Sequence, residues 1–381
     1  MKIGILTLPL NINYGGILQA YALQTVLRRM GHETTLIDQS VFKHLPIWRA
    51  PMHYSKRFFS KYILNRKHIF IFDEHRHNKI YPIISREIQS FIDCNIDRIV
   101  VSDFKKQLTG QFDALIVGSD QIWRPIYYPK IRNAYLDFAK NWSIKRISYA
   151  ASFGADIWEY TEKDTQQCKQ LLQKFDAVSV REDIGVSFCR KYLNREAEHL
   201  LDPTMLLDKN DYTRLFESKK TPPSIGNLLV YILDMTHEKE AIITILVRKY
   251  KYQPFLINNP NTENSYIDTE KRIAPSIEKW LRGFHDAEFV ITDSFHACVF
   301  AILFNKPFLV YGNKSRGMAR FNSLLKLFGL ENRLIHSPIE LNLEKMHELI
   351  DWSLVNQILN QQRKNAFNFL KKNIGSHDSQ N

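Results

Sequence analysis

Ten short apolar runs punctuate this chain, and most are followed by a stretch of helical periodicity. They begin with "KIGILT" (Lys2–Thr7) and Thr34–Asp38, and resume with "FDALIVGSD", "RISYAASFG", "DAVSVRED" and "EHLLDPT". "LLVYILD", "QPFLINN", "EFVITDS" and "KPFLVYG" complete the series. A strand that is apolar along its whole length is buried on both faces, as strands of a parallel sheet under crossover helices are. In the first unit Ile17, Tyr21, Val26 and Met30 recur near a 3.6-residue period on a helix expected over Gly16–Met30. That is a βαβ unit. The fold class expected is α/β: two Rossmann-like, doubly wound domains facing across a cleft.

At 381 residues the chain fits two domains of average size, and 44% hydrophobic content allows each a core. The boundary is expected at "FESKKTPPSIGN", dividing an N-terminal domain, residues 1–215, from a C-terminal domain, residues 225–372. The latter ends in a long amphipathic helix, and residues 373–381 read as a disordered tail. Residues 42–110 break the alternation as a basic, helical insertion. Its first part interleaves Lys and Arg with Trp48, Tyr54, Phe58, Phe59 and Tyr62. Two readings stay open: a helical hairpin with a solvated basic face, or an interfacial patch for peripheral contact with an anionic membrane.

No apolar run reaches eighteen residues and no signal peptide is recognisable, so the expected location is cytoplasmic, at most peripheral to the inner face of the plasma membrane. The cysteines, Cys94, Cys168, Cys189 and Cys298, lack CxxC spacing, which argues against disulfides and zinc. A net charge of +12 calls for an anionic partner. Nucleic acid is set aside because no helix-turn-helix, finger, KH or RRM signature is present. Neither a metal nor a cofactor is expected.

Ligands in doubly wound folds bind beyond the carboxyl ends of the strands. The first such loop carries Asn13, Tyr14, Gly15 and Gly16, where absent Cβ atoms would let backbone N–H groups approach an anion. A packing turn is the plainer reading. Asp38 ends the second strand, where dinucleotide folds place a ribose-binding acid, yet no GxGxxG precedes it. "GSDQIW" offers Asp120, Gln121 and Trp123, either as a capped turn or as a sugar site with an aromatic stacking face. Arg181 is either paired with a neighbouring acid or aimed at an anion. Asp202, before Pro203, reads more readily as a turn cap than as a catalytic group. Ser294 and His296 stand where a strand meets an apolar helix, and Lys314, Arg316 and Arg320 follow the next strand. Together these last five suggest an anion site, against the alternative of a structural histidine and a solvated loop.

In order and spacing, "IGILTLPLNINYGGILQAYALQ", "VGSDQIWRP", "SYAASFG", "VSVRED", "LDPT" and "ITDSFHACVFAILFNKPFLVY" resemble the polysaccharide pyruvyltransferase family. The resemblance implies a GT-B-like fold and transfer of pyruvyl carbons from phosphoenolpyruvate to two hydroxyls of one sugar, with release of phosphate. The sugar would belong to a capsular or exopolysaccharide repeat unit carried on polyprenyl diphosphate. It implies His296 in proton transfer; Asp120, at its own strand end, is read as the second catalytic residue. Arg181, Ser294, Lys314, Arg316 and Arg320 fall on the donor side, in the C-terminal half but for Arg181. Asn13, Tyr14, Gly15, Gly16, Gln121 and Trp123 fall on the acceptor side. The chain departs from the family where many members carry arginine two residues before the histidine; here that position is Ser294. Two rivals share the fold: a nucleotide-sugar glycosyltransferase and a non-catalytic sugar-binding protein.

Overall fold

The computed structural model describes residues 1–375 apart from 44, 47, 67–68, 314–316 and 345–347. Its N-terminal half builds a parallel seven-stranded sheet in the order β3-β2-β1-β4-β5-β6-β7. The strands are β1 (Lys2–Leu6), β2 (Glu33–Gln39), β3 (Arg98–Val101), β4 (Ala114–Gly118), β5 (Lys145–Ala151), β6 (Ala177–Val180) and β7 (Glu198–His199). Helix α1 (Tyr14–Arg29) joins β1 to β2. It starts two residues earlier than its periodicity indicates, because Asn13 caps it by accepting from the Gly16 N–H. Helices α2 (Ala50–Tyr62), α3 (Asp73–Ile84) and α4 (Arg86–Asn95) follow, and α5 (Phe104–Leu108) leads into β4. Helices α6 (Glu162–Leu172) and α7 (Asp183–Leu193) flank β6.

The insertion is therefore shorter than the sequence suggested. Within 42–110, Arg98–Val101 is a strand paired in register with Leu36–Gln39. Arg98 and Lys105–Lys106 masked it among the basic residues.

After α8 (Lys209–Ser218), a second parallel sheet runs β12-β11-β10-β8-β9. It comprises β8 (Leu228–Tyr231), β9 (Pro254–Phe255), β10 (Phe289–Thr292), β11 (Phe308–Tyr311) and β12 (Leu334–Ile335). Its helices are α9 (His237–Tyr250), α10 (Ile277–Asp286), α11 (Phe295–Leu303) and α12 (Ala319–Phe328). The closing helix, α13 (Trp352–Ile374), crosses back to the first half. There Lys145 Nζ donates to the Asn373 carbonyl at 2.9 Å, and Arg363 donates to the carbonyls of Met205 and Leu207. The beginning of the expected tail is thus ordered; residues 376–381 lie outside the described residues.

Both sheets reverse strand order once, between β1 and β4 in the first and between β8 and β10 in the second. Crevices open at such reversals. One apolar cluster runs from Ile3, Ile17 and Ile116 through Met205 and Tyr212 to Trp280, Phe300 and Phe321, so the halves share a core. Cys298 is part of it, and burial raises its thiol pKa.

Candidate functional site

The reversal between β1 and β4 brings the loop before α1 against the loop after β4. Asn13 Nδ2 donates to Asp120 Oδ2 at 3.3 Å. Asp120 is buried and holds a left-handed backbone with φ of +56°. An L-residue adopts that conformation at a cost, and such strain concentrates at functional sites.

The glycine pair explains itself here. A Cβ on Gly15 would lie 2.0 Å from His296 Nδ1, and a Cβ on Gly16 would lie 3.4 Å from Asp120 Oδ2. Gly15 lets the first turn of α1 meet the imidazole of the opposing half. The turn thus closes on the His296 ring and on the Asn13 amide that reaches Asp120.

Behind them lies a buried ionic cluster. Arg181, at the end of β6, donates from Nη1 to Asp202 Oδ2 at 2.6 Å. Its Nε lies 3.5 Å from Glu182 Oε1 and its Nη2 lies 3.6 Å from Asp120 Oδ1. His296 Nε2 lies 3.5 Å from the same Asp202 Oδ2, on which Ser119 Oγ also donates at 3.2 Å. The other oxygen, Asp202 Oδ1, accepts from the backbone N–H and hydroxyl of Thr204. Burial alone would raise the Asp202 pKa, but His296 and Arg181 outweigh it and hold the carboxyl well below the usual range. Ser152 Oγ donates to Glu182 Oε1.

Arg320, in the first turn of α12, completes the group. Its guanidinium carbon lies 5.4 Å from the Phe295 ring centroid, and that of Arg181 lies 4.4 Å from it. Burial, and then the nearby Arg181, bring the Arg320 pKa down to about 10. Two arginines crowded over one ring make a place where an added anion is stabilised. Arg181 Nη2 and His296 Nε2 are buried donors without a hydrogen bond. Buried donors are ordinarily satisfied, and an anionic oxygen would satisfy both.

Several expected site residues do something else. Trp123 is fully buried, stacks on Tyr135 at 4.8 Å and donates from Nε1 to the Ala134 carbonyl, so it offers no face to a sugar. The chain after β4 folds back over its ring. Tyr14 is also buried, stacked on Trp280 at 5.6 Å with its hydroxyl on the Pro275 carbonyl; it pins α1 to α10. Gln121 accepts from Arg124 Nη1 at 3.1 Å and packs on Gly154. Asp38 accepts from the N–H groups of Leu10 and Gln39 and from Arg98, which leaves no role toward a ribose. The Ser294 side chain does not cap α11. Lys314 and Arg316 lie outside the described residues.

Asp202, Glu182 and Ser119 are the site residues that sequence reasoning missed or undervalued. Asp202 was legible as a turn cap, which it is. A cap uses one carboxylate oxygen, and the signal lay in the second.

Two doubly wound sheets, with a buried ionic cluster where their loops meet, make this a two-domain α/β protein of the GT-B architecture. The chain belongs to the polysaccharide pyruvyl transferase family, whose model matches residues 13–315, starting at the cap of α1. Among solved structures it is similar to UDP-GlcNAc 2-epimerase from Neisseria meningitidis bound to UDP-GlcNAc (12% identity, 98% of this chain and 100% of that one, TM-score 0.48). It is also similar to the UDP-GlcNAc 2-epimerase from Methanocaldococcus jannaschii (12% identity, 95% and 94%, TM-score 0.48). MurG from Acinetobacter baumannii is a third (11% identity, 95% and 94%, TM-score 0.43). These likenesses are too distant to speak to activity. No match was found among curated proteins.

Proposed function

We propose that the protein forms a pyruvate ketal on one sugar of a capsular or exopolysaccharide repeat unit, with phosphoenolpyruvate as donor and phosphate as product. The acceptor in this reading is carried on polyprenyl diphosphate. The observation that supports it best is that two side chains gathered at one carboxylate oxygen, Asp202 Oδ2, each keep a buried nitrogen without a hydrogen bond, Arg181 Nη2 and His296 Nε2.

The chemistry needs one proton donor, one proton acceptor and an anion cradle. Arg181 and Arg320 take the donor's carboxylate and phosphate. His296, steadied by Asp202, delivers a proton to the methylene carbon, which becomes a methyl group. C2 is thereby electrophilic, and the first sugar hydroxyl adds to it while its proton passes to Asp120. Phosphate then leaves C2 with its bonding electrons and takes the proton held by Asp120; the second hydroxyl adds, its proton passes to the freed Asp120 carboxylate, and that proton restores His296. Arg320 stands in for the arginine that the family often carries at the position of Ser294. Three carboxylates against two guanidinium groups call for further cations around so anionic a donor. Lys314 and Arg316, just before Gly317, are the nearest in sequence. Asn13 and Gln121 border the acceptor side of this reading.

The test combines the protein with phosphoenolpyruvate and a panel of lipid-linked sugars. Phosphate release and a pyruvyl-sized mass gain on the sugar should appear together, and His296→Ala should lose both by about 10²–10⁴-fold. Phosphoenolpyruvate should also raise the melting temperature, since it binds the native state. Turnover or protection by a sugar nucleotide in place of phosphoenolpyruvate would overturn the reading in favour of a glycosyltransferase.

A further inference from the structure

Residues 39–72 contain seven lysines and arginines and no acid, so this segment alone carries much of the chain's net +12. Within it α2 buries none of its residues, an unusual state for a helix of thirteen. Its polarity is reversed relative to a surface helix. Arg57 turns inward and forms a bidentate pair with Glu74 of α3 at 2.7 Å, with a further bond to the Ile71 carbonyl. Met52, Phe59 and Ile63 follow one another at helical spacing and stand 65%, 53% and 63% exposed. Trp48, 74% exposed, extends this face and lies under the Arg49 guanidinium at 4.4 Å. Arg49, Lys56 and Arg66 are exposed and have no carboxylate partner among the described residues.

We propose that this face docks on the surface of an anionic lipid bilayer. An outward stripe of large apolar side chains fringed by cations fits the boundary between acyl chains and headgroups, where the apolar groups leave water and the cations meet lipid phosphates. No helix among the described residues is long and apolar enough to cross a membrane, so the contact is peripheral. A second copy of the chain fits poorly. A two-fold contact would set these unpaired cations against their own images, with no acid in the segment to offset them.

Through its pairing with α3, the docked element is braced to the second half of the molecule. Arg76 of α3 donates to the Ser265 carbonyl, and the Ile84 carbonyl accepts from the Ala274 N–H. The next residue, Pro275, accepts the hydroxyl of Tyr14, whose neighbour Gly15 touches His296. A bilayer bound at α2 is thus linked through a few packed residues to the candidate site. The proposal stands on this surface and not on the pyruvyl reading; where both hold, the lipid-linked acceptor is met at the membrane that carries it.

The test is cosedimentation of the full chain with phosphatidylglycerol–phosphatidylcholine vesicles and with phosphatidylcholine vesicles alone. Neither donor nor acceptor is added, so the outcome is independent of the reaction. Binding is expected to the anionic vesicles and should fall as salt rises. Lys56→Gln and Arg66→Gln should each weaken it about fivefold, and together about 25-fold. Phe59→Ser and Ile63→Ser should weaken it at every salt concentration, with the far-ultraviolet dichroism of each variant confirming a folded chain. Equal recovery with both vesicle types, no recovery with either, or wild-type binding by the variants overturns the proposal. So does self-association that Phe59→Ser abolishes in the absence of vesicle binding, which would assign the face to a second copy.

Discussion

Gly15 lies against the ring of His296, with no room for a side chain of its own. A methyl group there would need the space now held by the His296 ring, so Gly15→Ala must displace either the imidazole or the start of α1. A misplacement of about 1 Å at a catalytic group costs on the order of 10²-fold in rate, and the role proposed for His296 predicts that loss here. The clash also predicts non-additivity. Gly15→Ala should lower the melting temperature in the wild-type background and much less in a His296→Ala background, where the ring is gone. Additive effects in this double-mutant cycle would show that the two residues do not touch. Asp202 illustrates the same scale from the other side. Its two oxygens serve two masters, one the backbone of Thr204 and the other Arg181 and His296.

Elements show where the sequence was readable. Strand Phe289–Thr292 and helix Phe295–Leu303 were legible as apolar runs parted by the polar turn Asp293–Ser294, and helix Ile277–Asp286 because its apolar residues recur at the helical period behind the Ser276 cap. Strand β3 was not, because its apolar run is only three residues long, Ile99–Val101, at a sheet edge and with basic neighbours. Arg181, His296 and Asp120, which the structure brings together, were picked out because strand ends are where such folds bind ligands. Tyr14 and Trp123 were misread for one reason: an aromatic residue beside polar ones looks the same in sequence whether it faces a ligand or a neighbouring domain. The α2–α3 pair adds a testable point. Its Arg57–Glu74 bond holds the Glu74 carboxyl down at about 2, from an ordinary 4.5. A depressed carboxyl stabilises the docked helix fully above its unfolded value, and that contribution drains away as pH falls toward about 2. Glu74→Gln should therefore raise amide exchange across residues 50–62 by roughly 30-fold at pH 6, from about 2 kcal/mol of charged hydrogen bonding, and by less at pH 3.5. An unchanged ratio at the two pH values would exclude the pair as the anchor.

At the scale of the whole molecule the two halves are already in contact on the far side of the cluster. Gly317 holds a φ of +92°, and a Cβ there would lie 1.6 Å from the Gly154 carbonyl oxygen across the cleft. Nearby, Ser323 of α12 accepts from the Asp183 N–H at 3.0 Å and lies 3.2 Å from His199 Nε2. Gly317→Ala is expected to hold the halves apart: the radius of gyration from small-angle scattering should rise while the far-ultraviolet dichroism stays the same, and turnover should fall. A radius identical to that of the wild type would mean that the contact does not govern closure.

That backbone contact has a kinetic consequence. In the proposed reaction a small donor and a bulky, lipid-borne acceptor must reach the same enclosed space. With Gly154 and Gly317 touching, the larger molecule has to arrive while the halves are parted, and they can meet only after both reactants are seated. Turnover would then be paced by a hinge rather than by bond making, and it should slow as solvent viscosity rises.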